Sequence, residues 1–459
     1  MKSRFGQIDD YGARLENTVM YPITHTGRQF YYWIFFLLAV SAWGLFAYIT
    51  QLRYGLVATG MNDVVIYGMY IVNFVFFIGI SYAGALVSAI LRLTNAGWRN
   101  PITRMAELIA VGGLTDGALQ PIIDLGRPDR LSHIILFGRF QSPLLWDILA
   151  IITYLAGSFI YLYLPLIPDF AMARDRLSNA TNSLKYKFYR LFAAGWKDSP
   201  EQRRRLNKGI GIMAITIIPL AVSVHTVVAF IFSVTLRPGW DSTVYGIYFV
   251  VAAVFSGTAA LLVIIWAFRK WYHLEEYIHE KHFRYLGYIM LIMLLTYFYL
   301  MVTEYITTGY KLAGEEKTLL SIIFTGNNAI WFWLYFFGAL VIPAYLIITS
   351  KKHTIGKIVL ASVLVFFGLW LKRFIIIIPT LETPLMPFDL GAYAPTWVEW
   401  SIATATLAFF IFMITMGAKI LPLISVWEMK EHHEEEEAKT RTGEPALTPA
   451  PEGMRRKVL

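Results

Sequence analysis

The stretch Asp124–Asp147, DLGRPDRLSHIILFGRFQSPLLWD, sets three arginines, three aspartates and a histidine between two long apolar runs. Two other elements add titratable groups beside apolar sequence: His225 in AVSVHTVVAFIFS and Asp241 in RPGWDST. A histidine or carboxylate within hydrogen-bond reach of a hydroxyl accepts its proton, and arginine donates to polar oxygens. His133, Asp147 and Asp241 are therefore candidate proton acceptors, with Arg139 and His225 as candidate contacts to the same ligand. A hydroquinone fits this set: it has two hydroxyl protons to lose and an isoprenoid tail that needs an apolar cleft. Each residue also has a plainer reading. Asp147 sits where it can cap a helix, His225 can bond a neighbouring backbone, and Arg127 and Arg139 can bind lipid headgroups or a partner. Asp241 echoes Asp63 and can be an inherited cap.

A second set lies within apolar runs: Glu107, Asp116, Glu304, Lys372 and Arg373. Ionisable groups inside a bilayer cost about 2.5–3.5 kcal/mol each on insertion scales and so mark functional candidates. Glu107 and Asp116 are roughly 13 Å apart along a helix axis, too far for direct proton transfer, so a relay needs bridging water or hydroxyl groups. The alternative is interhelical ion pairing, with Lys372 and Arg373 meeting the acids.

The elements that position these residues follow from composition. The chain has 459 residues, 57% hydrophobic and 15% charged, against roughly 25% charged in soluble domains. It has no cysteine, which excludes disulfides, thiolate iron–sulfur ligation and thioether-linked haem within it. Only His225 among the histidines falls clearly inside a span, since His273, His279, His282 and His353 fall in connections. A bis-histidine haem is not expected either. No Walker A, Rossmann glycine pattern or HExxH occurs. The net charge of +9 is distributed among connections, as membrane topology requires, and does not indicate nucleic acid.

Apolar runs of about 20 residues place ten spans near 30–50, 64–91, 103–123, 144–168, 209–233, 245–268, 284–306, 329–349, 355–379 and 398–421. The third is the weakest, interrupted by Glu107 and Asp116. Alternating the connections puts 31 of the 40 Lys and Arg on the side of the termini and 7 on the other, with Lys372 and Arg373 inside the ninth span. Both termini are thus expected in the cytoplasm, and Asp124–Asp147 on the outer face.

DVVIYGMYIVNFVFFIG (Asp63–Gly79) aligns without gaps to DSTVYGIYFVVAAVFSG (Asp241–Gly257), matching Tyr67 to Tyr245, Tyr70 to Tyr248 and Gly79 to Gly257. A duplication four spans apart implies two parallel bundles. The expected fold is an all-α integral membrane protein of about ten helices. It comprises a cytoplasmic N-terminal segment (1–29), a peripheral span (30–50), one four-helix bundle (64–233) and a second (241–379). A last span (398–421) and a charged, disordered cytoplasmic tail (422–459) complete it.

The segments LGRPDR, GRFQSPLLWD with a following helix to LPLIPD, and HTVVAF–RPGWDSTVYGIYF resemble the polysulfide reductase membrane-subunit (NrfD) family over roughly residues 30–420. Ten spans and the PGW form are most similar to the quinol-interacting subunits of bacterial alternative complex III. The resemblance implies a haem-free subunit of a bacterial inner-membrane complex that binds menaquinol near its outer face. It would pass electrons to a periplasmic iron–sulfur subunit, with multihaem and monohaem cytochrome c subunits and a homologous membrane subunit as further partners. His133, Arg139, Asp147 and Asp241 carry over as site candidates, although relatives commonly have histidine where this chain has Asp241. Glu107, Asp116, Glu304, Lys372 and Arg373 would then be stations of a coupled proton path. Tandem bundles with membrane acids also suit a secondary transporter, and a passive anchor for a periplasmic enzyme is the third reading.

Overall fold

A computed structural model describes residues 2–178, 183–312, 314–350, 354–386, 389–431 and 433–434. Among the described residues, nine helices are long and apolar enough to cross a membrane. In chain order the helices begin with α1 (Lys2–Thr24), α2 (Arg28–Tyr54), α3 (Met69–Leu93), α4 (Thr103–Asp124) and the short α5 (Leu131–Leu136). Then come α6 (Pro143–Arg176), α7 (Leu184–Phe192), α8 (Pro200–Ser233), α9 (Tyr245–Trp271) and α10 (Glu280–Lys311). The series ends with α11 (Gly314–Phe324), α12 (Ala329–Tyr335), α13 (Ile342–Ile348), α14 (Thr354–Glu382) and α15 (Trp397–Ile420). A π-turn over Phe336–Val341 joins α12 and α13 into one span. A tenth span is reached only when α4, too polar to qualify alone, is counted together with Pro128–Ile134 across a 109° bend. Its polarity is tolerated because protein, not lipid, surrounds it: Glu107 and Asp116 are both buried.

The helices pack as two four-helix groups, α3–α4–α6–α8 and α9–α10–α12/α13–α14, while α2 and α15 pair outside them. The repeat-matched helices α3 and α9 lie against each other at the centre. Both are apolar around most of their circumference because neighbours cover most of it; the apolar window of α3 is 94% buried and that of α9 72%. Contact is close where glycine allows it. A Cβ on Gly79 would stand 3.4 Å from Ser256 Oγ, and one on Gly84 would overlap the Ala106 carbonyl of α4. On α2, by contrast, Tyr31, Tyr32, Phe35 and Phe46 face outward as a lipid-facing helix requires.

The expectation of a disordered tail from residue 422 fails for its first turns. Leu423, Ile424 and Val426 are buried, and Glu428 reaches Arg92 at 2.9 Å and Arg99 at 3.0 Å. Apolar residues interleaved with the charges carry that segment into the bundle. The rest of the tail, 435–459, and His353 lie outside the described residues. Burial alone would raise the Glu428 carboxyl, but the charges of Arg92 and Arg99 outweigh it and hold it at about 2. A depressed acid stabilises the fold above its ordinary value of 4.5 and loses that contribution as pH falls toward 2. Melting temperature should therefore fall more steeply below pH 4.5 in the parent chain than in Glu428→Gln. Parallel pH profiles would show that the clamp contributes nothing.

Candidate functional site

On the face carrying the α4–α6 connection, two carboxyl–tyrosine clusters sit at the ends of the two bundles. In the first, Tyr70 donates to Gln51 Oε1 at 2.5 Å, and Gln51 Nε2 donates to the Ile123 carbonyl at 2.9 Å. The next residue, Asp124, ends α4 within electrostatic range of Tyr67, Tyr70 and Glu399, and its Oδ1 has no hydrogen-bond partner. Glu399 is fully buried and accepts from Gly60 N at 2.7 Å, Thr396 N at 3.0 Å and the Tyr393 hydroxyl at 2.6 Å. With its acceptor sites so occupied, Glu399 is structural and Asp124 is the acid left open. Tyr67, 36% exposed, leads from the cluster to the surface.

The second cluster repeats the plan. Tyr245 and Tyr248, the repeat partners of Tyr67 and Tyr70, lie within electrostatic range of Glu304 on α10. Each bundle thus sets an acid from its second helix against the same two tyrosine positions of its first. Lys372 donates to Tyr305 Oη at 2.8 Å and lies 4.9 Å from that ring's centre. It interacts electrostatically with Glu304, whose Oε2 is unpartnered. A cavity of about 20 Å³ between Glu304, Lys372, Tyr305 and Thr380 has room for one water.

At mid-depth, His225 packs its ring 4.5 Å from Tyr82, and neither ring nitrogen has a hydrogen-bond partner. The Ala221 carbonyl one turn earlier is the backbone group nearest to satisfying the ring, as the backbone-bonded reading of His225 expects. Arg373, 3% exposed, lies over Phe249 near Gly79 at the junction of the repeats. Asp116 is fully buried with both carboxyl oxygens unpartnered, and so is the amide of Gln120 one turn on. Toward the terminal face, Glu107 accepts from Ser88 at 2.7 Å, and Ser88 meets Tyr161 at 3.1 Å. Arg104 forms a buried ion pair with Asp169.

The five ring-site candidates differ in their surroundings. His133 is exposed, with its ring edge toward Phe137 at 5.4 Å, and Arg139 and Asp241 are exposed as well. Asp147 is buried a turn inside α6 with Oδ1 unpartnered, so it is not the cap, which falls at Ser142. Among the described residues no hydrogen bond or ion pair joins any two of His133, Arg139, Asp147, His225 and Asp241. The path candidates divide likewise. Glu304 and Lys372 share one site, whereas Glu107, Asp116 and Arg373 occupy separate ones, with no bridging hydroxyl bonded to Asp116. Asp124, Asp169, Glu399 and Glu428 were not singled out from sequence. Glu399 had a signal, the Thr396-x-x-Glu399 capping-box spacing.

No group of three or more potential metal ligands occurs among the described residues. The model of the family described as polysulphide reductase, NrfD, matches residues 57–384, from just after α2 to the end of α14. The chain belongs to the NrfD family. That span contains both bundles and leaves the α2–α15 pair outside. Among similar proteins, the C subunit of selenate reductase from Mesobacillus selenatarsenatis is 25% identical over 89% of this chain and 96% of that protein. The membrane C subunit of a putative dimethyl sulfoxide reductase from Halobacterium salinarum is 27% identical over 85% and 91%. The menaquinone reductase integral membrane subunit of Nitratidesulfovibrio vulgaris is 24% identical over 86% and 92%. This NrfD-family chain is a multi-pass integral membrane protein.

Proposed function

We propose that the chain is the quinone-binding membrane subunit of a respiratory oxidoreductase complex, oxidising menaquinol at the α4–α6 face. The observation that carries this reading is Asp124, whose buried Oδ1 has no hydrogen-bond partner and which lies within electrostatic range of Tyr67 and Tyr70 at the end of α4. The relative named for menaquinone reductase supplies the substrate class. Oxidation releases two protons and two electrons. Asp124 accepts one hydroxyl proton and the other passes to water at the same face, Tyr67 and Tyr70 flank the ring, and both electrons leave to an iron–sulfur subunit docked there.

Exposed His133, Arg139 and Asp241 belong to that dock in this account, together with exposed Leu136, Phe137 and Phe140. On this reading the α4–α6 face is periplasmic and both termini are cytoplasmic in a bacterial inner membrane, and the positive-inside bias of the connections supports that orientation. Assignment to alternative complex III, with its cytochrome c partners, rests on the PGW segment. Here that segment also has a structural role, because Trp240 Nε1 donates to the Ile376 carbonyl at 2.8 Å. Coupled proton transfer through Glu107, Asp116, Glu304, Lys372 and Arg373 is part of the same proposal, supported by their burial.

The test is purification of a tagged chain from native membranes in mild detergent. An iron–sulfur subunit, haem c absorbance and menaquinol oxidation in the preparation are expected. A colourless chain purifying alone would favour a transporter. An intact complex whose turnover survives loss of every membrane acid would leave a passive anchor.

A further inference from the structure

We propose that α7 is an interfacial helix that holds anionic phospholipid at the terminal face of the first bundle. Its depth is set by three contacts. Tyr163 of α6 donates to the Phe192 carbonyl at 3.0 Å, Phe170 of α6 meets Phe188 at 6.1 Å, and Tyr189 donates to the Ile420 carbonyl at 3.0 Å. These partners lie where the apolar stretch of α6 and the last turn of α15 end, so α7 lies alongside the bundle at headgroup level. Its inward face is anchored through buried Tyr189.

The opposite face is apolar and uncovered: Leu184 is 83% and Leu191 73% exposed, one stripe at i and i+7. Lys187 and Arg190, both exposed, line one edge of that stripe. An exposed apolar stripe edged by bases is the composition of a helix lying in a membrane surface. Charge complementarity selects the occupant. Residues 169–208 hold ten basic and four acidic side chains, so the surface around α7 attracts an anionic headgroup while Leu184 and Leu191 enter the acyl boundary. The inference needs only the membrane embedding of the chain and is independent of its redox role.

The absence of cysteine allows a direct test, since a single introduced thiol labels uniquely. The full chain carrying Leu191→Cys or Lys197→Cys would be labelled with a small fluorophore in nanodiscs containing brominated phosphatidylcholine. Strong quenching at 191 and weak quenching at 197 are expected. Equal quenching, or a label at 191 shielded from lipid, would overturn the proposal. In a second arm, native mass spectrometry would count phosphatidylglycerol retained from mixed nanodiscs. The exposed double variant Lys187→Gln/Arg190→Gln should weaken retention about tenfold or more, at roughly one fivefold step per base. Unchanged retention would also overturn it.

Discussion

Asp124→Asn is expected to lower menaquinol turnover by about 10²-fold or more in an otherwise intact complex, the scale of a lost acid–base group. Asparagine keeps the shape and removes the proton-accepting oxygen, so the helix end should survive. The Tyr70–Gln51–Ile123 chain holds the α4 terminus without using the Asp124 side chain. Asp124→Glu should recover part of the rate, and quinone affinity should change less than turnover. His133→Ala, by comparison, acts on an exposed ring and should weaken retention of the partner protein more than the chemistry. Wild-type turnover in Asp124→Asn, with every partner still bound, would remove Asp124 from the reaction.

The largest stability effect is expected at the terminal face. Arg104 and Asp169 are 3% and 1% exposed, and Arg104 also donates to the Pro165 and Pro422 carbonyls at 2.9 and 3.2 Å. Arg104→Leu leaves Asp169 as an uncompensated buried charge, which costs about 3–5 kcal/mol. Thermal or denaturant unfolding in detergent should show this as a large loss of folded chain. Removing both charges in Arg104→Leu/Asp169→Leu should restore much of the loss, because the pair itself contributes little beyond neutralising its own desolvation. A double variant no better than the single one would mean that the carbonyl contacts of Arg104, tying α4 to α6 and to the C-terminal segment, dominate.

The spans were legible because a bilayer demands a length and polarity that any sequence must display. Even the weakest, α4, was found, and its polarity now has a cause in its burial within the first bundle. The proposed repeat rests on Tyr67, Tyr70, Gly79 and their partners; Tyr70, Tyr245 and Tyr248 are buried and Gly79 lies at the α3–α9 contact, whereas Tyr67 is 36% exposed. The ring site was less legible. Charge density along Asp124–Asp147 measures proximity in sequence, and a loop spreads such residues over a surface: His133 and Arg139 are exposed while Asp147 is buried. Asp124 opens that same stretch, yet nothing local separates it from Asp129, which pairs with Arg127 at the surface at 2.9 Å. What distinguishes it is the approach of α2, α3 and α15, and that approach has no signature in the residues around it. Glu428 was hidden for the opposite reason, since a charged tail gives no sign that Arg92 and Arg99 of the first bundle stand ready to pair with it.

The central claim is that quinone binds at the α4–α6 face beside Asp124, and photoaffinity labelling tests it most directly. An azido-menaquinone analogue would be irradiated with the native complex, with and without excess menaquinone, and the adducts mapped by peptide mass. The account predicts competed labelling on the peptides around Tyr67–Tyr70 and Asp124. Competed labelling confined to α10 and α14, or none on this chain, would contradict it.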